Sequence, residues 1–347
     1  MEYQKKINEK RGMKIMKRVI FSTLGLVLGL SVLAGCNNNE QKQLTEETQL
    51  TKVTDSISND YANVPGLNVK DGVATFTQNA TIGAKYKVPG DWKKIIIKDK
   101  VTLKGNFLIA THNSSIEIAG EGWESVLDNS ITPYKKGGPN RDYCNIRYTC
   151  NDKKAVLKLS NFVSKNPANF HITSWAPVEI HKMKIIDTRG QPSTDGVHST
   201  HGAKIYDSFI STYDDALYVG ETSWIENTTI EHNSNGGPLQ VSWGGNANGN
   251  SMTVKDCKFI DTANKYNQGV VGWAKKEGGG KETVTIKFVG NNTWTVKNGA
   301  KKSPFYTFSS GDNGAVKNAV VVQDGGDKDW AKSIEQRNGS NGVVNVK

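Results

Sequence analysis

Three aspartates carry the chemistry this sequence is equipped to do. Asp195 lies in Ser193-Thr194-Asp195-Gly196-Val197-His198, and Asp214 and Asp215 lie in Tyr213-Asp214-Asp215-Ala216-Leu217-Tyr218. Carboxylates crowded together repel, which raises the pKa of at least one. A spread of pKa values among neighbouring carboxylates is what acid/base chemistry near neutral pH requires. One carboxylic acid then protonates a leaving oxygen while a second carboxylate activates water, the pair standing roughly 6.5–9.5 Å apart when a glycosidic bond is cleaved with inversion. Taken singly, Asp-Gly and Asp-Asp are also ordinary turn pairs. Only a fold that brings them together makes them a site.

The elements that must position them are short strands. From about Val64 onward β-branched runs recur, among them Ile95-Ile96-Ile97, Val101-Thr102-Leu103 and Ala155-Val156-Leu157-Lys158-Leu159, each bounded by Gly, Asn, Asp or Pro. No amphipathic helix of three turns is visible in this region. The phrases Val178–Asp187, Ala203–Ser211, Ser223–Glu231 and Met252–Asp261 repeat one another, and aligning Ile186, Ile210, Glu231 and Ile260 gives steps of 24, 21 and 29 residues. Inexact repeats of 20–30 residues with strands and no helix point to a solenoid. The competing arrangement is a β-sandwich; the shared internal phrase favours an all-β, single-stranded, right-handed parallel β-helix. Coils of such a helix stack at strand spacing, about 4.8 Å. The 19 residues from Asp195 to Asp214 make about one coil, and the 25 from Asp215 to Gln240 about one more. Three carboxylates and an amide then share one face of successive coils. Tyr218 and Trp243 fall on those same coils.

Thr194-Asp195-Gly196 followed one coil later by Asp214-Asp215, and then by Gly236-Gly237-Pro238-Leu239-Gln240-Val241-Ser242-Trp243, resembles glycoside hydrolase family 49, the dextranase and isopullulanase group. It is more distantly similar to the polygalacturonases of family 28, whose Gly-His-Gly and Arg-Ile-Lys phrases are missing after Asp215. The similarity covers about residues 160–275. It implies an inverting hydrolase of a dextran-like α-glucan, with Asp214 as general acid and Asp195 and Asp215 positioning and activating water. It also places His171 and Trp175, in Asn166-Pro167-Ala168-Asn169-Phe170-His171-Ile172-Thr173-Ser174-Trp175, on a strand lining the cleft, to bind and stack on sugar. The sequence departs from family 49 where a Lys is expected shortly after Asp-Asp and where a β-sandwich domain is expected before the helix. A polygalacturonase-like hydrolase of an acidic polysaccharide, a non-catalytic carbohydrate-binding β-helix and a lyase on the same fold remain open alternatives.

The first 35 residues read as an export signal. The basic run Met13–Arg18, sixteen largely apolar residues from Val19 to Ala34, and Leu33-Ala34-Gly35-Cys36 have the order of such a signal. Leu-Ala-Gly-Cys resembles the bacterial lipobox, which implies lipidation of Cys36 and attachment to the extracellular face of the cell membrane, the more stable for carrying two or more acyl chains. Residues 36–63 are polar and read as a flexible tether, and residues 64–347 as the β-helix domain. Residues 1–35 carry seven Lys/Arg and two Asp/Glu, so their removal halves the net charge from +10 to +5. That excess is too mild to call for nucleic acid. A polysaccharide, the membrane and no second subunit are the expected partners, and no cofactor or metal is expected, since no Cys/His spacing resembles a zinc site. Cys144 and Cys150 are placed closely enough for a local disulfide in an exported protein.

Overall fold

The computed structural model describes residues 63–135, 138–219, 221–241, 248–263, 268–273, 282–297, 303–309 and 315–347, excepting the side chains of residues 138–140 and 219. The signal, Cys36 and all but the last residue of the tether lie outside this set, as does Trp243. The chain divides at Asn63/Val64 into two units, and the second, Val64–Lys347, holds every described strand.

Nearly every strand in residues 64–347 pairs in parallel with the strand one coil before and one coil after; the exception is the opening pair Leu67–Lys70 and Val73–Phe76, which is antiparallel. One coil contributes three strands. Val178–His181, Lys184–Ile186 and Val197–Ser199 are followed by Ala203–Tyr206, Phe209–Thr212 and Leu217–Val219, then by Ser223–Glu226, Thr229–His232 and Leu239–Val241. The first strands of successive coils form a twelve-stranded sheet, and the second and third strands form two ladders of another. The chain is therefore a parallel β-helix, as the repeats predict.

Alternation of apolar and polar residues along each strand turns one side inward. The inward positions stack: Ile118, Leu159, Ile180, Ile205, Ile225 and Val254 pair in succession down the first sheet and are fully or almost fully buried. Burying each such side chain contributes about 1.5–3 kcal/mol. Ile185, Ile210, Ile230 and Phe259 do the same on the second strands. Here the sequence alignment is out by one residue. Ile186 pairs with Ser211, not Ile210, and a one-residue slip moves a side chain to the opposite face. Ile210 belongs to the core and Ser211 to the outside.

The corner between first and second strands is tight and built alike in coil after coil. Asn161, Lys182, Asp207, Asn227 and Asp256 occupy it with φ between 46° and 57°, and each donates its backbone N–H to the next coil. Asn and Asp tolerate this left-handed conformation better than other residues with a Cβ, which accounts for their recurrence. The second corner is of another kind. The chain runs from Ile186 to Val197 in one coil but only from Thr212 to Leu217 in the next. All three aspartates sit at this corner.

Cys144 and Cys150 are free thiols, both buried, so the expected disulfide is absent. Strand Ile146–Tyr148 runs between them. At about 3.3 Å per residue an extended segment separates its ends far beyond the 4.4–6.8 Å that a disulfide spans. Cys144 Sγ instead accepts from Thr173 Oγ1 at 3.4 Å, and burial pushes its thiol up to about 12.

Candidate active site

The backbone ladder fixes where the carboxylates stand. Gly196 N donates to Asp215 O at 2.8 Å and Ala216 N to Gly237 O at 3.2 Å, one step before the third strands begin. Asp195, Asp215 and Gly237 therefore hold the same position on three consecutive coils. Facing side chains at one ladder position are separated by about the strand spacing, and oxygens of Asp195 and Asp215 and a nitrogen of His198 lie within 4.8 Å of one another. Asp214 joins them from the adjacent position. Its Oδ1 accepts from Asp215 N at 3.0 Å and its Oδ2 from Asn235 Nδ2 at 2.9 Å, while Asp215 Oδ1 accepts from Gly237 N at 3.1 Å.

Gly236 makes this crowding possible. A Cβ there would stand 2.2 Å from Asp215 Oδ1 and 2.3 Å from Asp214 Oδ1, and its φ of 68° is itself one that glycine favours.

All three carboxylates are less than one-tenth exposed. Burial pushes the Asp195 carboxyl well above the usual carboxylate range, and the charges of Asp214 and Asp215 push it further. Asp215 is raised for the same reasons, by burial and then by Asp214. Asp214 is raised by burial too, against the pull of its hydrogen bonds from Asn235, Ser193 and the Asp215 N–H. Each of the three therefore holds its proton more tightly than a free carboxyl does.

A stack of rings lies beside them. His198 is sandwiched between Phe170 at 4.8 Å and Tyr218 at 5.1 Å, near-parallel to both. Its Nε2 is 2.6 Å from Asp195 Oδ2, but misaligned for a hydrogen bond, and burial holds the imidazole down to about 3. Residues 129–135 and 141–143 reach the same corner. Tyr134 Oη donates to Pro192 O, and its phenol is raised by burial and also by the charges of Asp214 and Asp195. Lys135 N donates to Ala168 O at 2.6 Å and Arg189 Nη1 to Thr132 O at 3.1 Å, which ties this segment down beside the carboxylates.

The residues expected from sequence gather here unevenly. Asp195, Asp214 and Asp215 converge, and Tyr218 stands beside them. Gln240 pairs in register with Tyr218, not with a carboxylate; it is buried, and its Nε2 donates to Val241 O at 3.3 Å. His171 does not line a cleft. It is fully buried with Nδ1 2.9 Å from Ser164 Oγ, and burial, with Arg189, lowers its imidazole to about 3. Trp175 is 41% exposed under the guanidinium of Arg147, 5.0 Å from its ring. His198, Tyr134, Arg141, Asn235 and Gly236 belong to the site although the motifs do not single them out. His198 carried one signal, its place three residues after Asp195. Strict strand alternation would put the two on opposite faces, and the turn at Gly196 brings them together instead.

Arg141 and Arg147 complete the surroundings. Arg147 occupies the ladder position that runs through Thr173, His198 and Tyr218. Arg141 faces the Phe170 ring at 5.8 Å, and its charge acts on both Asp195 and His198. The Nε of each arginine is buried without a hydrogen-bond partner, and neither guanidinium forms an ion pair among the described residues.

No protein-family model matches the chain, and no curated protein matches it. Solved structures do. The chain is similar to the endo-xylogalacturonan hydrolase from Aspergillus tubingensis, at 15% identity over 80% of this chain and 86% of that one, with a TM-score of 0.42. It is similar also to a family 28 exopolygalacturonase from Yersinia enterocolitica, at 11% identity over 81% and 73% of the two chains, with a TM-score of 0.37.

Proposed function

We propose that the protein is a glycoside hydrolase acting on a polysaccharide, with Asp214 as the general acid and Asp195 and Asp215 activating water. The observation that carries this reading is the convergence of three buried carboxylates on adjoining coils, each with its pKa raised. A raised pKa keeps one carboxyl protonated where it must donate to a leaving oxygen, and a neighbouring carboxylate then serves as base. Inversion is the stereochemistry that the family 49 resemblance implies.

The unpaired arginines favour an acidic polymer over a dextran-like glucan. Arg147 is buried and Arg141 half-buried; a buried cation without a counter-charge is costly, and the planar guanidinium matches a carboxylate by two parallel hydrogen bonds. A uronate in the site would supply what Arg141 and Arg147 lack. The dextran reading rests on the sequence phrases alone. Attachment through a lipid on Cys36 would keep the enzyme at the outer face of the membrane, where labelling with a radioactive fatty acid, lost in Cys36→Ser, is the check.

The decisive assay incubates the purified protein with polygalacturonate, dextran and pullulan and measures reducing ends. Release from polygalacturonate that falls about 10²–10⁴-fold in Asp214→Asn supports the acidic-polymer hydrolase, and release from dextran supports the α-glucan reading. Proton NMR of the first-formed anomer reads inversion directly. No release from any of the three, together with retention of one polymer on a glycan array, leaves a carbohydrate-binding β-helix.

A further inference from the structure

The geometry points to a divalent metal site formed by Asp195, His198 and Asp215. One ligand atom from each of the three lies within 4.8 Å of the others, and all three residues are buried. Asp195 Oδ1 and His198 Nε2 have no hydrogen-bond partner although both are sequestered from solvent. His198 Nε2 and Asp195 Oδ2 stand 2.6 Å apart without the alignment of a hydrogen bond. The imidazole nitrogen and the carboxylate thus face each other at one point of the site, and a small opening of that contact would let both bind one ion.

Charge makes the same demand. Buried carboxylates are ordinarily paired with a cation or bound to a metal, and among the described residues no Lys or Arg forms an ion pair with Asp195, Asp214 or Asp215. Asp214 lies outside this group of three, and each of its oxygens already accepts a hydrogen bond, from Asn235 Nδ2 and the Asp215 N–H. His198 is held in place by its stack between Phe170 and Tyr218, so its nitrogen presents itself to the ion without an ordering cost. One imidazole and two carboxylates, with no thiolate, suit zinc or manganese better than calcium, which prefers an all-oxygen shell. Three protein ligands would leave a coordination position open for a water or a sugar oxygen. The site shares residues with the proposed hydrolytic centre, yet it is tested by binding alone, so failure of either reading leaves the other standing.

The test titrates Zn²⁺, and separately Mn²⁺ and Ca²⁺, into chelator-treated protein by calorimetry, with thermal melting alongside. One Zn²⁺ per chain is expected, with a rise in melting temperature on binding and little response to Ca²⁺. His198→Phe preserves the ring stack and removes the ligand nitrogen; Asp215→Asn keeps the side-chain shape. Each should weaken Zn²⁺ binding by more than the roughly 10–100-fold that loss of an outer-shell partner costs. His181→Ala and His201→Ala, which remove imidazoles elsewhere, should leave binding unchanged. Absence of saturable one-to-one binding, or unchanged binding in His198→Phe with its folding verified by circular dichroism, overturns the proposal.

Discussion

At Asp195 the fold holds a carboxyl in surroundings that favour its protonated form. A carboxyl whose folded-state pKa lies above its unfolded value, about 3.9, contributes fully below that value. Its contribution is lost as pH rises through the folded pKa. Asp195→Asn mimics the protonated form at every pH. In chelator-containing buffer the variant should therefore match wild type near pH 3.5 and be more stable at pH 7, by about 1.4 kcal/mol for each pH unit of the shift. Urea midpoints at the two pH values read this out, and equal midpoints at pH 7 would remove the electrostatic account of the site. His171 and His198 work in the opposite sense. Each is held down to about 3, so the stability each contributes is present above about 6.5 and lost as pH falls toward 3. Gly236 gives a third expectation at this scale. Gly236→Ala places a methyl group against both Asp214 and Asp215 and should abolish hydrolysis while leaving the far coils folded, which amide exchange of the first sheet can verify.

Strands and corners set how much of the fold is legible in the sequence. The second-strand register is nearly legible because isoleucines repeat there, and the error at Ile210 comes from matching residue type where the ladder counts position. The carboxylate cluster is legible for a related reason: Asp195 and Asp215 are one coil apart, so sequence distance translates into spatial contact. Gln240 is misplaced because the coil after Asp215 steps by the distance from Leu217 to Leu239, three residues shorter than the distance from Asp215 to Gln240, and coil length alone does not reveal which strand position is matched. Tyr134 and Arg141 leave no such trace. They arrive from a segment well before the Asp-Asp pair, whose path is set by individual hydrogen bonds and not by any repeat. The first corner offers a test at this scale. Lys182 holds a φ of 51° where neighbouring coils use Asn or Asp. Lys182→Asn should stabilise the protein by about 0.5–1 kcal/mol, seen as a higher urea midpoint at unchanged slope.

At the scale of the whole β-helix, residues 64–347, each coil rests on its neighbours. The inward stack from Ile118 to Val254 is continuous, whereas the first strand, Leu67–Lys70, and the last, Val343–Val346, have mostly exposed side chains and only one neighbour each. Stability in such an array is approximately a sum of nearest-neighbour terms. Amide exchange should therefore be slowest in strands between residues 178 and 261 and fastest at the two end strands; uniform protection from end to end would indicate cooperativity across the whole column. The aspartates lie in the protected interval, which suits a site that depends on close approach.

The two corners divide labour in a way that bears on how such a protein changes over generations. The corner through Asn161, Lys182, Asp207, Asn227 and Asp256 keeps one conformation and one hydrogen bond per coil, so an insertion there would throw every later strand out of step. The corner that carries Asp195, Asp214 and Asp215 already varies widely in length from coil to coil without disturbing the ladders on either side. Mutation is therefore free to lengthen, shorten and rewrite the corner that carries the candidate site, while the part that keeps count stays fixed. A lineage built on these coils can change the chemistry of one corner without having to learn to fold again.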